Sequence, residues 1–363
     1  MNPVHMVEQG ASSAYKPVVI TGGAGFIGCN LARSFLVEGQ PVRIVDNLSR
    51  SGVEQNLAWL RQEFGPLLSF AKVDTGDCDT IAAHLTDGRA VFHFAAQTAV
   101  TTSLDDPMDD FRTNAQGTLN VLEAIRAQPT PPSLVFTSTN KVYGDLADLQ
   151  LGTAEDRYWP TDAVLASRGI GEDRGLDFCT PYGCSKGVAD QYVLDYASSY
   201  GLPTAVLRMS CIYGPRQFGT EDQGWVAHFL IKALQGERIS VYGDGRQVRD
   251  VLFVDDAVAA YRAVLANIDL VKGRAFNLGG GPENAVSVRQ VLDEIQMLVG
   301  HPLRTVSGDW RRGDQLYFVA STAALQKDVG WTAKVGWRDG IRRLRDWLVA
   351  NRNVARPRER VSA

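Results

Sequence analysis

The sequence predicts a doubly wound α/β chain, a parallel sheet with helices on both faces, joined to a smaller C-terminal lobe. Three observations carry that reading. Short β-rich runs alternate with helical stretches over the first 208 residues, which implies parallel strands joined by crossover helices. The glycine turn Thr21-Gly22-Gly23-Ala24-Gly25-Phe26-Ile27-Gly28 lies between the first such run and the first helix. A carboxylate, Asp46, closes the next run, 18 residues past Gly28.

The elements follow in order. Residues 16–20 read as the first strand and 26–37 as an amphipathic helix stopped by Gly39. Residues 41–45 form the second strand, and strand-like runs recur at 68–73, 90–94, 133–137 and 204–208. Helical stretches lie at 113–127 and 186–200. From about residue 209 glycine, proline and loop residues break the alternation, and two helices stand out, 225–235 and 286–299. The expected organisation is a Rossmann dinucleotide-binding domain over 16–208, with a return segment near 250–266. A substrate-binding lobe fills most of 209–350, 1–15 is a flexible tail and 351–363 a tail.

Bulk properties narrow the function. Hydrophobic residues make up 45% and charged residues 21% of the 363, an ordinary globular balance. A net charge of −4 argues against nucleic acid or an anionic membrane as a general partner. No apolar run is long enough to span a bilayer, and residues 1–15 lack the apolar core of a signal peptide. Five cysteines without a CxxC and five histidines without ligand spacing predict neither a disulfide framework nor a metal site. A reducing cytoplasm fits.

The glycine turn supplies a cofactor expectation. It satisfies both Gly22-x-x-Gly25-x-x-Gly28 and Gly23-x-Gly25-x-x-Gly28. Glycine lets the backbone approach a pyrophosphate, and the helix N-terminus that follows favours its charge. Asp46 can accept hydrogen bonds from ribose hydroxyls and repels a 2′-phosphate, so NAD is favoured over NADP. Arg50 nearby is the residue that runs against that preference.

The chemistry centres on Tyr182 and Lys186, four residues apart in Pro181-Tyr182-Gly183-Cys184-Ser185-Lys186. If Tyr182 begins a helix, Lys186 shares its face. A phenol with an ordinary pKa near ~10 is a poor base at neutral pH and needs a neighbouring positive charge. A hydroxyl on a neighbouring strand end should complete the group, and Phe136-Thr137-Ser138-Thr139-Asn140-Lys141-Val142-Tyr143-Gly144 supplies one.

These segments resemble the extended short-chain dehydrogenase/reductase family, particularly its nucleotide-sugar epimerases and dehydratases. The resemblance runs from about Pro17 to Leu348 and includes His93-Phe94-Ala95-Ala96-Gln97, Asn114-Ala115-Gln116-Gly117-Thr118, Ile212-Tyr213-Gly214-Pro215-Arg216 and Arg249-Asp250-Val251. It implies a catalytic group of Thr139, Tyr182 and Lys186. It implies NAD contacts from Gly22, Gly25, Phe26, Ile27, Gly28, Asp46, Asn47, Asp74, Thr75, Ala95, Ala96, Gln97, Asn114, Tyr182 and Lys186. Thr139, Asn140, Arg216, Trp225, Arg249 and Arg311 would meet the substrate, the arginines suiting a diphosphate. Cys211 stands where the family often has Asn.

The two residues after Thr139 discriminate. Family 4,6-dehydratases carry Asp-Glu there to eliminate water, whereas this chain has Asn140-Lys141. The expectation is therefore a redox-neutral epimerase. Narrower matches, such as Asp222-Gln223-Gly224-Trp225-Val226, resemble the family's CDP-sugar 2-epimerases. The resemblance implies a nucleotide-sugar partner, a CDP-sugar first, and a homo-oligomer, dimer or tetramer. A UDP- or CDP-sugar 4-epimerase is the alternative, with a dehydratase and a non-catalytic NAD-binding protein behind it.

Overall fold

The computed structural model describes residues 16–351. Apart from Asn351, the expected tails at 1–15 and 351–363 lie outside the described residues.

Seven parallel strands form the central sheet. Five come first in the chain: β1 (Val18–Thr21), β2 (Val42–Val45), β3 (Leu68–Ala71), β4 (Ala90–His93) and β5 (Ser133–Thr139). The order across the sheet is Arg274–Leu278, Thr204–Met209, β5, β4, β1, β2, β3. All pairings are parallel. Strand order reverses beside β1, between its neighbours β2 and β4. A crevice opens there at the carboxyl ends of the strands, where such sheets bind ligands. β1 and β4 are buried on both faces, which explains why they read as continuous apolar runs rather than alternating ones.

Helix α1 (Phe26–Leu36) packs the first face, burying Cys29, Leu31, Ala32, Phe35 and Leu36. Helix α2 (Val53–Phe64) lies beside it. The long helix Thr180–Tyr200 covers the other face, with Ala189, Val193 and Tyr196 in that core.

Several boundaries differ from the sequence expectation for identifiable reasons. The helix expected at 113–127 begins as a π-helical turn, Arg112–Gln116, and becomes regular only over Gly117–Arg126. The Thr118 hydroxyl donates to Asn114 O at 2.6 Å and occupies that carbonyl. Single π turns of this kind often mark functional positions. The helix expected from 286 begins at Val288, because Ser287 and Gln290 form a reciprocal capping box. β5 runs two residues beyond its expected end and carries Thr139 to the rim of the sheet.

The return to the main sheet also extends further than residue 266. Val254–Ala266 packs on α1, and the chain then adds Arg274–Leu278 as an edge strand. The rest of the C-terminal portion has its own core, with Tyr213, Phe229, Val251, Phe253, Ile295, Trp337 and Leu344 at its centre. Strand Val248–Phe253 organises it, pairing antiparallel with Ala285–Ser287 and parallel with Tyr317–Phe318 and Cys211–Tyr213.

Candidate active site

The glycine turn fits a dinucleotide. Gly25 caps α1 without any side-chain cap, so the first amides of the helix are left for another acceptor. Gly22 has φ +67°, and a Cβ there would lie 2.6 Å from Ala95 N. A Cβ on Gly28 would lie 2.5 Å from Gly22 O. Asp46 sits at the end of β2 and accepts from Ala24 N at 3.0 Å and Leu48 N at 2.8 Å. These bonds fix the carboxylate beside the turn, and its remaining lone pairs can receive ribose hydroxyls. Burial raises its pKa, and the two amides oppose the rise.

The other expected cofactor contacts divide into two groups. Phe26 and Ile27 face the cleft. Asn47 and Asp74 are paired at 2.9 Å at the ends of β2 and β3, and Ala95 and Ala96 form the turn after β4. Thr75, Gln97 and Asn114 are committed inward. Thr75 packs against Gly117. Asn114 has no exposed surface. Its amide donates to Gln97 O, Asp110 and Ser185 at 3.0–3.2 Å and accepts from Gln97 N at 2.9 Å. Gln97 donates to Asp110 and Ala99 O, both at 2.9 Å. This network ties the segment after β4 to the helix bearing Ser185, so Gln97 and Asn114 shape the site with their polar groups bonded to one another and to their neighbours. Ser103 and Asp110 were missed from the sequence, and Ser185 stood in the Tyr182–Lys186 run without a role. Ser103 and Asp110 are ordinary polar residues of no motif, and only the fold joins the three.

Thr139, Tyr182 and Lys186 converge at the carboxyl ends of the strands. Tyr182 is the third residue of Thr180–Tyr200, and Lys186 lies one turn on, both buried. Ser103 Oγ accepts from Tyr182 N at 3.2 Å and steadies the start of the helix. Burial pushes the phenol up to about 12, while the nearby Thr139 hydroxyl pulls the other way. Lys186 Nζ donates to Thr137 O at 2.7 Å and lies 4.2 Å from the Phe136 ring centroid. Burial brings this ammonium down to about 7, with Asp190 and Asp110 holding it up. Asp190 in turn forms a bidentate buried pair with Arg208, both bonds 2.9 Å. A phenol held neutral beside a readily titrated ammonium can shuttle a proton once a ligand adds positive charge.

A cleft of about 520 Å³ runs from Tyr182 and Thr139 to Trp225, Arg249 and Arg311, within the range for a small-molecule site. Arg249 is buried and donates to Asp314 at 2.6 Å. Arg311 stacks over Tyr242 at 3.9 Å and pairs with Asp222 at 3.5 Å. Trp225 lines the wall and donates to Cys211 Sγ at 3.4 Å. Asn140 and Lys141 line the cleft as well. Arg216 does not reach it. Its guanidinium stacks 3.6 Å over Trp59 and faces Trp347, which takes it out of the expected diphosphate set.

The reversed strand order, the uncapped glycine turn and the buried phenol–ammonium pair define a dinucleotide-dependent enzyme of the extended short-chain dehydrogenase/reductase class. Residues 18–279 match the profile of the NAD dependent epimerase/dehydratase family. The chain belongs to that family, and its cofactor is NAD. It is 40% identical over 337 residues to CDP-paratose 2-epimerase of Salmonella typhi, covering 91% of this chain and 98% of that protein. It is 30% identical to dTDP-glucose 4,6-dehydratase of Neisseria meningitidis serogroup B, covering 93% and 94%. The NAD complex of Thermus thermophilus UDP-glucose 4-epimerase superposes with a TM-score of 0.76 at 30% identity, covering 92% and 99%. No helix among the described residues is long and apolar enough to cross a membrane.

Proposed function

We propose that this protein interconverts CDP-paratose and CDP-tyvelose by inverting C2 of the sugar. The observation that carries the reading is the 40% identity to CDP-paratose 2-epimerase along nearly the whole of both chains. The site supports it chemically. Asn140 and Lys141 stand where water elimination needs carboxylates. Asn140 Nδ2 donates to Gln315 and Lys141 Nζ to Gly313 O, which leaves neither free as an acid/base pair.

In this account Arg249 and Arg311 hold the diphosphate and orient the sugar toward β5. Thr139 hydrogen-bonds the C2 oxygen. Tyr182 takes the C2 hydroxyl proton as the C2–H bond breaks, and later returns it to the same oxygen. Bound NAD supplies the acceptor for the hydride and, once reduced, the donor that gives it back. The planar ketone has lost its configuration, so rotation of the sugar within the cleft exposes the opposite face. The Lys186 ammonium favours the phenolate between the two halves of the reaction. A 3-deoxy sugar has no C3 ketone to acidify the C2 proton, which favours direct oxidation at C2.

The test is a panel of CDP-paratose, CDP-glucose and UDP-glucose, read by NMR of the products and NADH absorbance. The reading requires CDP-tyvelose from CDP-paratose without lasting NADH. A 4-keto-6-deoxy sugar from CDP-glucose, or a 4-epimer from UDP-glucose with CDP-paratose untouched, overturns it. A homo-oligomer, dimer or tetramer, belongs to the same proposal. Exposed Met108, Phe111 and Tyr192 on the main-domain helices support it, and sedimentation gives the mass.

A further inference from the structure

The segment 311–315, whose first four residues line the cleft, is stitched to both sides of the catalytic group. On the β5 side, Asn140 Nδ2 donates to Gln315 Oε1 at 3.0 Å, and Gln315 Nε2 donates to Gly144 O at 2.7 Å. Gln315 has no exposed surface. Lys141 Nζ donates to Gly313 O at 2.9 Å and stands 3.9 Å from the Asp314 carboxylate. On the helix side, Gly313 has φ +71°, and a Cβ there would lie 2.7 Å from Thr180 Cγ2. The same segment carries Arg311 and Arg312 into the cleft.

We propose that Lys141 is a positioning residue that latches the 311–315 segment over the substrate diphosphate, so that a position dehydratases use for elimination serves here for holding. This rests on the nucleotide-sugar reading above. The charge arrangement explains why an ammonium is needed. Asp314 accepts from Arg249. Arg249 commits Nη1 to Val248 O and Nη2 to Asp314, and its other N–H groups remain for phosphate oxygens. As the diphosphate draws on Arg249, Asp314 needs another positive partner, or the segment loses its anchor. Lys141 can neutralise Asp314 and bind Gly313 O together. A neutral side chain cannot do both.

Arg249, Asp314, Cys211 and Cys179 face the Lys141 ammonium from the elements packed around it. Burial, reinforced by Arg249, lowers it to about 8. The latch therefore weakens as pH rises through that value, because the folded protein then releases the proton.

The experiment titrates CDP into the NAD-loaded full chain by calorimetry near pH 7 and near pH 9.5, alongside steady-state rates with CDP-paratose. Lys141→Met is expected to bind CDP about tenfold more weakly near pH 7, the loss of one charge-assisted hydrogen bond. Its KM should rise by a similar factor, with kcat within about threefold. Wild-type affinity should fall between the two pH values, while that of Lys141→Met stays flat. Lys141→Arg, charged throughout, should restore binding and remove the pH dependence. Unchanged CDP affinity in Lys141→Met overturns the latch and leaves the nucleotide-sugar reading intact. A kcat loss of about 100-fold at constant KM also overturns it, placing Lys141 in the chemistry. Failure of every variant and the wild type to bind CDP overturns both. If Lys141→Met does not fold, the wild-type and Lys141→Arg pH profiles decide, and parallel profiles refute the latch.

Discussion

Replacing Tyr182 by Phe isolates the proton shuttle from the architecture around it. The ring is buried at 9% exposure, so Phe fills the same space. The lost oxygen has the Thr139 hydroxyl as its polar neighbour. Even a full neutral hydrogen bond there would contribute about 1 kcal/mol, so folding stability should change by no more than that. Tyr182 is one expected NAD contact among many, and the glycine turn and Asp46 are untouched, so NAD affinity should stay within about threefold, less than ~0.7 kcal/mol. Turnover should behave differently. A general acid/base contributes about 10²–10⁴ in rate, or about 2.7–5.4 kcal/mol of barrier. The assay is single-turnover conversion of CDP-paratose by the NAD-loaded variant, followed by NMR, with NAD content and melting temperature measured on the same sample. A rate within about tenfold of wild type, with NAD bound and the fold intact, would refute Tyr182 as the shuttle.

Further outcomes follow from the same geometry. Gly28→Ala drives a methyl group to 2.5 Å from Gly22 O, so NAD binding, read by fluorescence quenching, should fall by at least ~100-fold while the substrate lobe still folds. Asp190→Asn leaves the Arg208 guanidinium without its buried counter-charge, and denaturant unfolding should show a loss of about 3–5 kcal/mol. Lys186 is lowered to about 7 and Lys141 to about 8. Above these values the unfolded chain holds more of the lysine protons than the folded one, so the apo protein gains stability from about pH 7 toward about 9. Buried Cys29 and Tyr182, both raised to about 12, oppose the gain above about 9 and about 10 respectively. Thermal melts of apo Lys186→Met should lose most of the rise between pH 7 and 8, where only Lys186 of the two lysines has begun to contribute.

Local patterns made the first half of the fold readable. A glycine turn between a buried strand and a helix, followed by an acid, has few other physical uses, and the structure puts all three in one crevice. Tyr182 and Lys186 were legible because helical spacing alone sets them on one face. What stayed hidden depends on contacts between distant residues. Arg274–Leu278 is a short run that only pairing with Thr204–Met209 makes a strand. Arg216 carries the right chemistry for a phosphate, yet Trp59 and Trp347 claim its guanidinium. Asn114 and Ser185 stand in recognisable segments, yet their joining through Asp110 has no signature because the members are separated by as many as 75 residues. Asn140 and Lys141 were read as missing carboxylates, and their bonds to residues 313 and 315 appear only in three dimensions.

The most direct test of the central claim follows the hydrogen on C2. CDP-paratose deuterated at C2 is converted in ordinary water by the NAD-loaded enzyme, and the product is examined by NMR and mass spectrometry. Transient oxidation with return of the same hydride predicts CDP-tyvelose that keeps its deuterium at C2. Replacement of that deuterium by solvent hydrogen in each turnover would contradict the account.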